Sequence, residues 1–405
     1  MRIFLLIALG MMSVSSVMAQ WEAMNGSAVT IRHHPVTFTL QDTAYLLTGT
    51  TAQSSPQGTN SFFRYDEAGD QWVALDDFPG GARSYAYAAT YDGKAYFGFG
   101  TNDFNTFYND LWEYDPVSKE WTELASCDCS GRSHPAFVAQ AGRIFVGLGN
   151  GPFDRNDWWS YDIATDEWSQ MPDLPGPPRH HPFHFAAGDY VYAGMGHNGG
   201  TFLSDWFQFD PATDSWTQMD NHPGGPRVAG QEFSYEGSGY VISGDGSQHE
   251  NLEDGEFWKY LHETDEWERL PDHPGNPADG RVGRWAPGAF VVNDHVYFFG
   301  GVNRGGGFLY SDTWRYDLRT TVSTENPELE VVSMRVFPNP AQSEIRVKGK
   351  AIQTNAEYQI YNQQGIMVQE GLYNGGEVLR LNGRLSSGLH FLRLGQETTS
   401  FIIVR

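Results

Sequence analysis

Aligned on six arginines, Arg32, Arg83, Arg132, Arg179, Arg227 and Arg284, the chain repeats one pattern of apolar and polar positions without a gap. Each arginine is followed seventeen residues later by a glycine: Gly49, Gly100, Gly149, Gly196, Gly244 and Gly301. Between them lie two short runs rich in β-branched and aromatic residues, split by two turn residues, as in RSYAYAATYDGKAYFGFG. Such a block predicts a β-hairpin. A second hairpin follows. FFRYDEAGDQW, LWEYDPVSKEW, WWSYDIATDEW, WFQFDPATDSW and FWKYLHETDEW each place a Trp six residues after the Asp position, which is Leu261 in the fifth copy. The sixth unit keeps its third strand, DTWRYD, but has Ser323 where the Trp belongs. Trp21 precedes Arg32 by eleven residues, the interval that also separates Trp72, Trp121, Trp168 and Trp216 from their arginines. Trp21 to Met24 is therefore expected to supply the missing fourth strand. Six four-stranded units would then close into a ring with no open edge at the junction.

The arginine opening, the aromatic-plus-glycine block (fullest in Tyr297-Phe298-Phe299-Gly300-Gly301), the Tyr-Asp pair and the spaced Trp resemble Kelch repeats over residues 21–317. The resemblance implies an all-β chain with a six-bladed Kelch β-propeller over residues 20–320. Past a polar connector at 321–333, VFPNPAQSEIRV, YQIYNQQGIMVQEG, LSSGLHFLRL and SFIIVR read as the strands of a small Ig-like β-sandwich, residues 334–405. In order and position these stretches resemble the C-terminal sorting domain of the type IX secretion system. That resemblance implies the type IX machinery as a partner and passage across the outer membrane, to a secreted or cell-surface location.

Composition agrees with export. Residues 1–19 carry one basic residue, an apolar run from Ile3 to Met12 and small residues before Gln20, the pattern of a signal peptide. No stretch is long and apolar enough for a transmembrane helix. Residues 321–405 hold eight acidic and eight basic residues, so the whole formal charge of −24 lies upstream of them. That field argues against nucleic acid and anionic lipid as partners. Cys127 and Cys129 are the only cysteines, too few for a disulfide framework, and a strained local disulfide or oxidised thiols is the expected fate of the pair in an exported protein, ahead of a metal site.

A hairpin returns the chain to the side it left, so the arginines, the glycines and the longer loops share one face of the ring. Loops over a rigid scaffold concentrate binding residues. The candidate ligand-binding residues are Arg32, His34, Arg83, Arg132, His134, Arg179, His181, Arg227 and Arg284. Flat, always-charged guanidiniums suit anions or sugar hydroxyls. Asp110, Asp157, Asp205, Glu256 and Asp312 open five third strands on the same face, and pairing each arginine with its acid is the stronger expectation. Blade one has Ser61 there, which leaves Arg32 as the arginine expected to be free. His34, His134 and His181 suit Zn²⁺ or Cu²⁺ by chemistry. Strand alternation points the same rings into interblade packing, the stronger expectation here. In blade five Asp245, His249, Glu250, Glu253 and Asp254 offer a cation site or an acid–base pair, against a plain solvated loop. The pattern singles out no catalytic residue, metal or cofactor. No Cys stands on a strand where the Kelch copper oxidases need a Cys-crosslinked Tyr. The leading expectation is a non-catalytic module that binds a glycan or protein ligand. The alternative, implied by the Kelch resemblance, is a carbohydrate-active enzyme of the sialic-acid mutarotase or epimerase type.

Overall fold

Blade one pairs Val36–Leu40, Thr43–Leu47, Phe62–Asp66 and Gln71–Ala74 in chain order, and five further four-stranded antiparallel sheets repeat the arrangement. The computed structural model describes residues 21–51, 58–274, 282–304, 307–319, 335–337, 341–348, 356–363, 366–374, 378–383, 385–394 and 397–404. The expected signal peptide and connector lie outside the described residues, as do loop positions 52–57, 275–281 and 305–306.

The sixth sheet runs Gly288–Val292, His295–Phe299, Thr313–Asp317 and then Glu22–Met24, with Ala23 opposite Trp314. The first strand of the described chain thus completes the last blade, and the fold is a six-bladed Kelch-type propeller. Two-residue turns close the inner hairpins. In five of them both turn residues have positive φ, for example Asp92 at 46° and Gly93 at 76°, as the right-handed strand twist requires. The repeat glycine has a different reason. Gly100 sits at φ 87°, and a Cβ there would meet the Ser84 carbonyl oxygen at 2.5 Å. Only glycine lets the chain turn that tightly against the arginine segment.

The blade tryptophans stitch neighbours together at the rim. Trp168 Nε1 donates to the Ala125 carbonyl of the preceding blade and Trp216 Nε1 to that of Pro172. Trp21 Nε1 donates to Pro271 in the same way, at 3.0 Å. Trp21 also packs against Phe257, Phe298 and Tyr316, so it ties blade five to blade six. On its other side, the Asn25 N–H donates to Asp70 of blade one. Equivalent bonds run from Ala125 to Asp166 and from Asp220 to Asp265.

The tail forms its own unit, from Ser323 onward. A three-stranded sheet (Arg335–Phe337, Glu344–Lys348, Leu379–Arg380) and a four-stranded one (Met367–Tyr373, Ala356–Asn362, Gly388–Leu394, Glu397–Ile403) share a core of Ile345, Ile360, Leu392, Phe401 and Ile403.

Candidate functional site

Five of the six arginines are held inside their own blades. Arg83, Arg132, Arg179 and Arg284 make two-pronged bonds to Asp110, Asp157, Asp205 and Asp312, and Arg227 bonds Glu256 at 2.8 Å. Their side chains are buried. Four of these acids also accept a Trp Nε1 from two residues on, as Asp110 does from Trp112 at 2.9 Å. The carboxylate thereby locks the start of the third strand to the start of the first. Arg32 has no acid partner among the described residues, but it is not free. It is buried, donates to the carbonyls of Val29 and Thr48 and reaches Ser61 Oγ at 3.3 Å. Burial pushes its pKa down to about 10.

The residue two places after each arginine tells a different story. His34, Tyr85, His134, His181, Ala229 and Ala286 occupy that place, all with φ between 48° and 61°. This left-handed residue turns the chain before the first strand begins. Its backbone joins a ring around the axis: the His34 N–H donates to Ala286 O, Ala286 to Ala229 O and His134 to Tyr85 O. The expectation that the histidines point between blades is corrected here, because strand alternation does not apply to a residue that precedes the strand. Their rings meet across the axis instead. His34 Nε2 lies 3.3 Å from His181 Nε2, although blades one and four are opposite in the ring. The His134 ring sits 3.7 Å, centre to centre, from that of His181. Tyr85 and Trp285 pack against His34 at 4.3 and 4.5 Å. Burial, and then the neighbouring imidazoles, hold His34, His134 and His181 well below the ordinary histidine pKa, so all three are neutral.

Blade five supplies the acid. Asp245 follows the repeat glycine, in the place held by Thr50, Thr101, Asn150, His197 and Val302 in the other blades. It is fully buried, neither carboxylate oxygen has a hydrogen-bond partner, and its pKa is raised to about 7, chiefly by burial. Arg304 and His249 stand 3.9 and 3.8 Å from it. The Arg304 guanidinium lies over the Trp285 ring at 5.1 Å. His249 packs on His197 and Phe202, and burial holds its pKa at about 4. Of the other blade-five candidates, Glu250 and Glu253 are exposed and Asp254 pairs with Arg269. The mouth therefore runs from the central histidines past Trp285 to a carboxyl poised near neutrality. His180 Nδ1 meets Asp154 at 2.7 Å beside this cluster, and Tyr85, Asp154, His197, Trp285 and Arg304 were absent from the candidate residues named from the sequence. Tyr85, His197 and Trp285 stand in the columns one or two places after the repeat arginine and one after the repeat glycine, so the gapless alignment holds their signal. Asp154 and Arg304 sit in loops outside the repeat.

Below the mouth the six first strands enclose a cavity of about 370 Å³ along the axis, lined in part by Tyr87, His184 and Glu232. Glu232 faces His184 Nδ1 at 3.3 Å. Burial raises the carboxyl well above its usual pKa and lowers the imidazole to about 3, so the two meet as neutral groups. Between blades two and three, Cys127 and Cys129 are joined in a disulfide packed among Tyr96, Phe99 and Leu111.

Residues 335–405 match the family described as the secretion system C-terminal sorting domain. Within the chain, 113 residues are 35% identical to the N-acetylneuraminate epimerase of Pasteurella multocida (strain Pm70), a match covering 26% of this chain and 28% of that protein. Over 80 residues the chain is 32% identical to the N-acetylneuraminate epimerase of Shigella sonnei (strain Ss046), covering 19% of this chain and 22% of the relative. The matched stretches thus span about a quarter of these curated relatives. The solved structure of YjhT superposes with a TM-score of 0.59 at 19% identity, over 72% of this chain and 95% of that one. No helix among the described residues is long and apolar enough to cross a membrane. The chain is a Kelch-type β-propeller carrying a type IX C-terminal sorting domain, which directs it to the cell surface or out of the cell.

Proposed function

We propose that the propeller is a carbohydrate-active enzyme of the epimerase type, acting outside the cell on an acidic sugar of the N-acetylneuraminate class. The observation that carries this reading is Asp245, buried in the mouth without a hydrogen-bond partner and with a pKa near 7. A carboxyl so placed exchanges protons readily at neutral pH. The names of the two curated relatives support the substrate class.

In this reading the ionised Asp245 takes the proton of the anomeric hydroxyl. The bond from the anomeric carbon to the ring oxygen breaks, and the carboxyl returns the same proton to that oxygen. The open-chain ketone rotates about its carbon–carbon bond and closes on the other face by the reverse steps. Arg304 supplies the positive charge that a sugar carboxylate needs in a chain of net charge −24. The exposed face of Phe104, stacked on Tyr85, and the Trp285 ring offer surfaces for the sugar's apolar side.

The test is exchange NMR on the two anomers of N-acetylneuraminate. Wild type accelerates their interconversion, the rate rises as pH passes through about 7 and levels off above it, and Asp245→Asn abolishes the gain. The glycan- or protein-binding reading without catalysis is favoured by the same aromatic mouth. Its signature is saturable sugar binding with no acceleration by either protein, and that outcome overturns the enzyme reading.

A further inference from the structure

We propose that His34, His134 and His181 form a site for one divalent transition-metal ion of the zinc class, on the ring axis at the mouth. The three residues occupy equivalent repeat positions in blades one, three and four, and their ligand atoms all lie within 4.8 Å of one another. A tetrahedral zinc with nitrogen bonds of about 2.0–2.1 Å spaces its ligands roughly 3.3–3.4 Å apart. His34 Nε2 and His181 Nε2 already stand at 3.3 Å. A proton shared between two ring nitrogens satisfies that pair alone. A cation satisfies three lone pairs at once.

The outer contacts fit the same reading. His134 Nδ1 donates to Asn150 Oδ1 at 3.2 Å, which leaves Nε2 as the lone-pair atom, and that atom is buried without a hydrogen-bond partner. His34 Nδ1 is engaged by His33 Nδ1 at 2.7 Å, so its Nε2 is the nitrogen turned to the axis. Metal-bound histidines characteristically hold their second nitrogen in this way, as His34 and His134 do; the buried His181 Nδ1 has no hydrogen-bond partner. A set of three imidazoles suits Zn²⁺, Cu²⁺ or Ni²⁺ and not the oxygen-seeking Ca²⁺ or Mg²⁺. With three protein nitrogens the ion keeps a position for water or a ligand, as reactive zinc centres do. A second trio, His180, His181 and His197, shares His181. In that trio too the second nitrogens of His180 and His197 are held, by Asp154 and the Gly199 carbonyl, at 2.7 and 3.2 Å, so the outer contacts do not separate the two trios. What favours the first trio is the pair of ligand atoms from opposite blades, His34 Nε2 and His181 Nε2, already at zinc spacing.

The experiment uses the full secreted chain, stripped with chelator and titrated with ZnCl₂ by calorimetry, with metal counted after dialysis. One zinc per chain is expected. His134→Gln and His181→Gln lose it, His295→Gln on the far side of blade six keeps it, and Asn150→Ala weakens binding about 10- to 100-fold with an unchanged circular-dichroism spectrum. Should a histidine variant fail to fold, Asn150→Ala decides. The proposal is overturned if zinc, copper and nickel all fail to saturate the protein. It is equally overturned if His197→Gln abolishes uptake while His134→Gln retains it. Neither result bears on Asp245, so the metal site and the sugar reading stand or fall separately.

Discussion

Buried charge is handled in two opposite ways in this protein, and single substitutions separate them. Arg83 is buried against a carboxylate that meets it with both oxygens. Asp110→Ala strands the guanidinium and is expected to cost about 3–5 kcal/mol in denaturant unfolding. Ser61→Ala, at the matching place in blade one, removes a bond of 3.3 Å to Arg32 and one of 2.9 Å to Thr59 Oγ1, strands no charge without its counter-ion, and is expected to cost about 1–2 kcal/mol. Asp245 is the contrary case, a carboxyl whose folded pKa of about 7 lies above its ordinary value of 3.8. Its protonated form favours the fold below pH 4, and that advantage is lost as pH climbs toward and past 7. Asp245→Asn should therefore match wild type near pH 4 and exceed it at pH 8 by about 4 kcal/mol. Equal stability at pH 8 would remove the physical basis for the proton-exchange role proposed for it.

At the scale of the element, the strand Glu22–Met24 matters beyond its three residues, because Trp21 leads into it and bonds the blade before, while Asn25 leaves it and bonds the blade after. Trp21→Ala removes a buried indole that touches four aromatic rings, those of Phe257, His273, Phe298 and Tyr316, and is expected to cost about 3–5 kcal/mol. The same change at Trp72, which packs on blade six through Phe290 and Phe299, should cost a similar amount. If the two differ widely in thermal unfolding, with Trp21→Ala near neutral, the terminal strand is not what closes the ring. The left-handed residue before each first strand is the other decisive element. Six chain segments bend there together, and their side chains are delivered to the axis and not to a blade interface.

At the scale of the whole molecule, ring and tail are separate units with separate cores. Removing residues 335–405 is expected to leave the thermal midpoint of the ring unchanged while the protein accumulates inside the outer membrane, measured by cell fractionation and immunoblot. A lowered midpoint would mean that the tail also supports the ring. The six-fold arrangement matters for the site as well. Opposite blades are bridged by side chains at one small axial spot, so a pocket assembles from residues 147 positions apart, His34 and His181.

Much of this was legible in the residue order alone. Gapless spacing of arginine, glycine and tryptophan determined six blades, the shared last blade and the closing role of Trp21, because strand periodicity and hairpin length are local properties that a repeat displays many times over. The pairing of five arginines with the acids of their third strands followed from the same register. Tertiary structure alone decided what meets on the axis. A left-handed turn is not written in any single side chain, since histidine, tyrosine and alanine all occupy it. The neutral histidine cluster and the Asp245 carboxyl, without a hydrogen bond and with a raised pKa, exist only where six segments converge and exclude water. Burial is a sum over the whole ring, and no local stretch of sequence contains it.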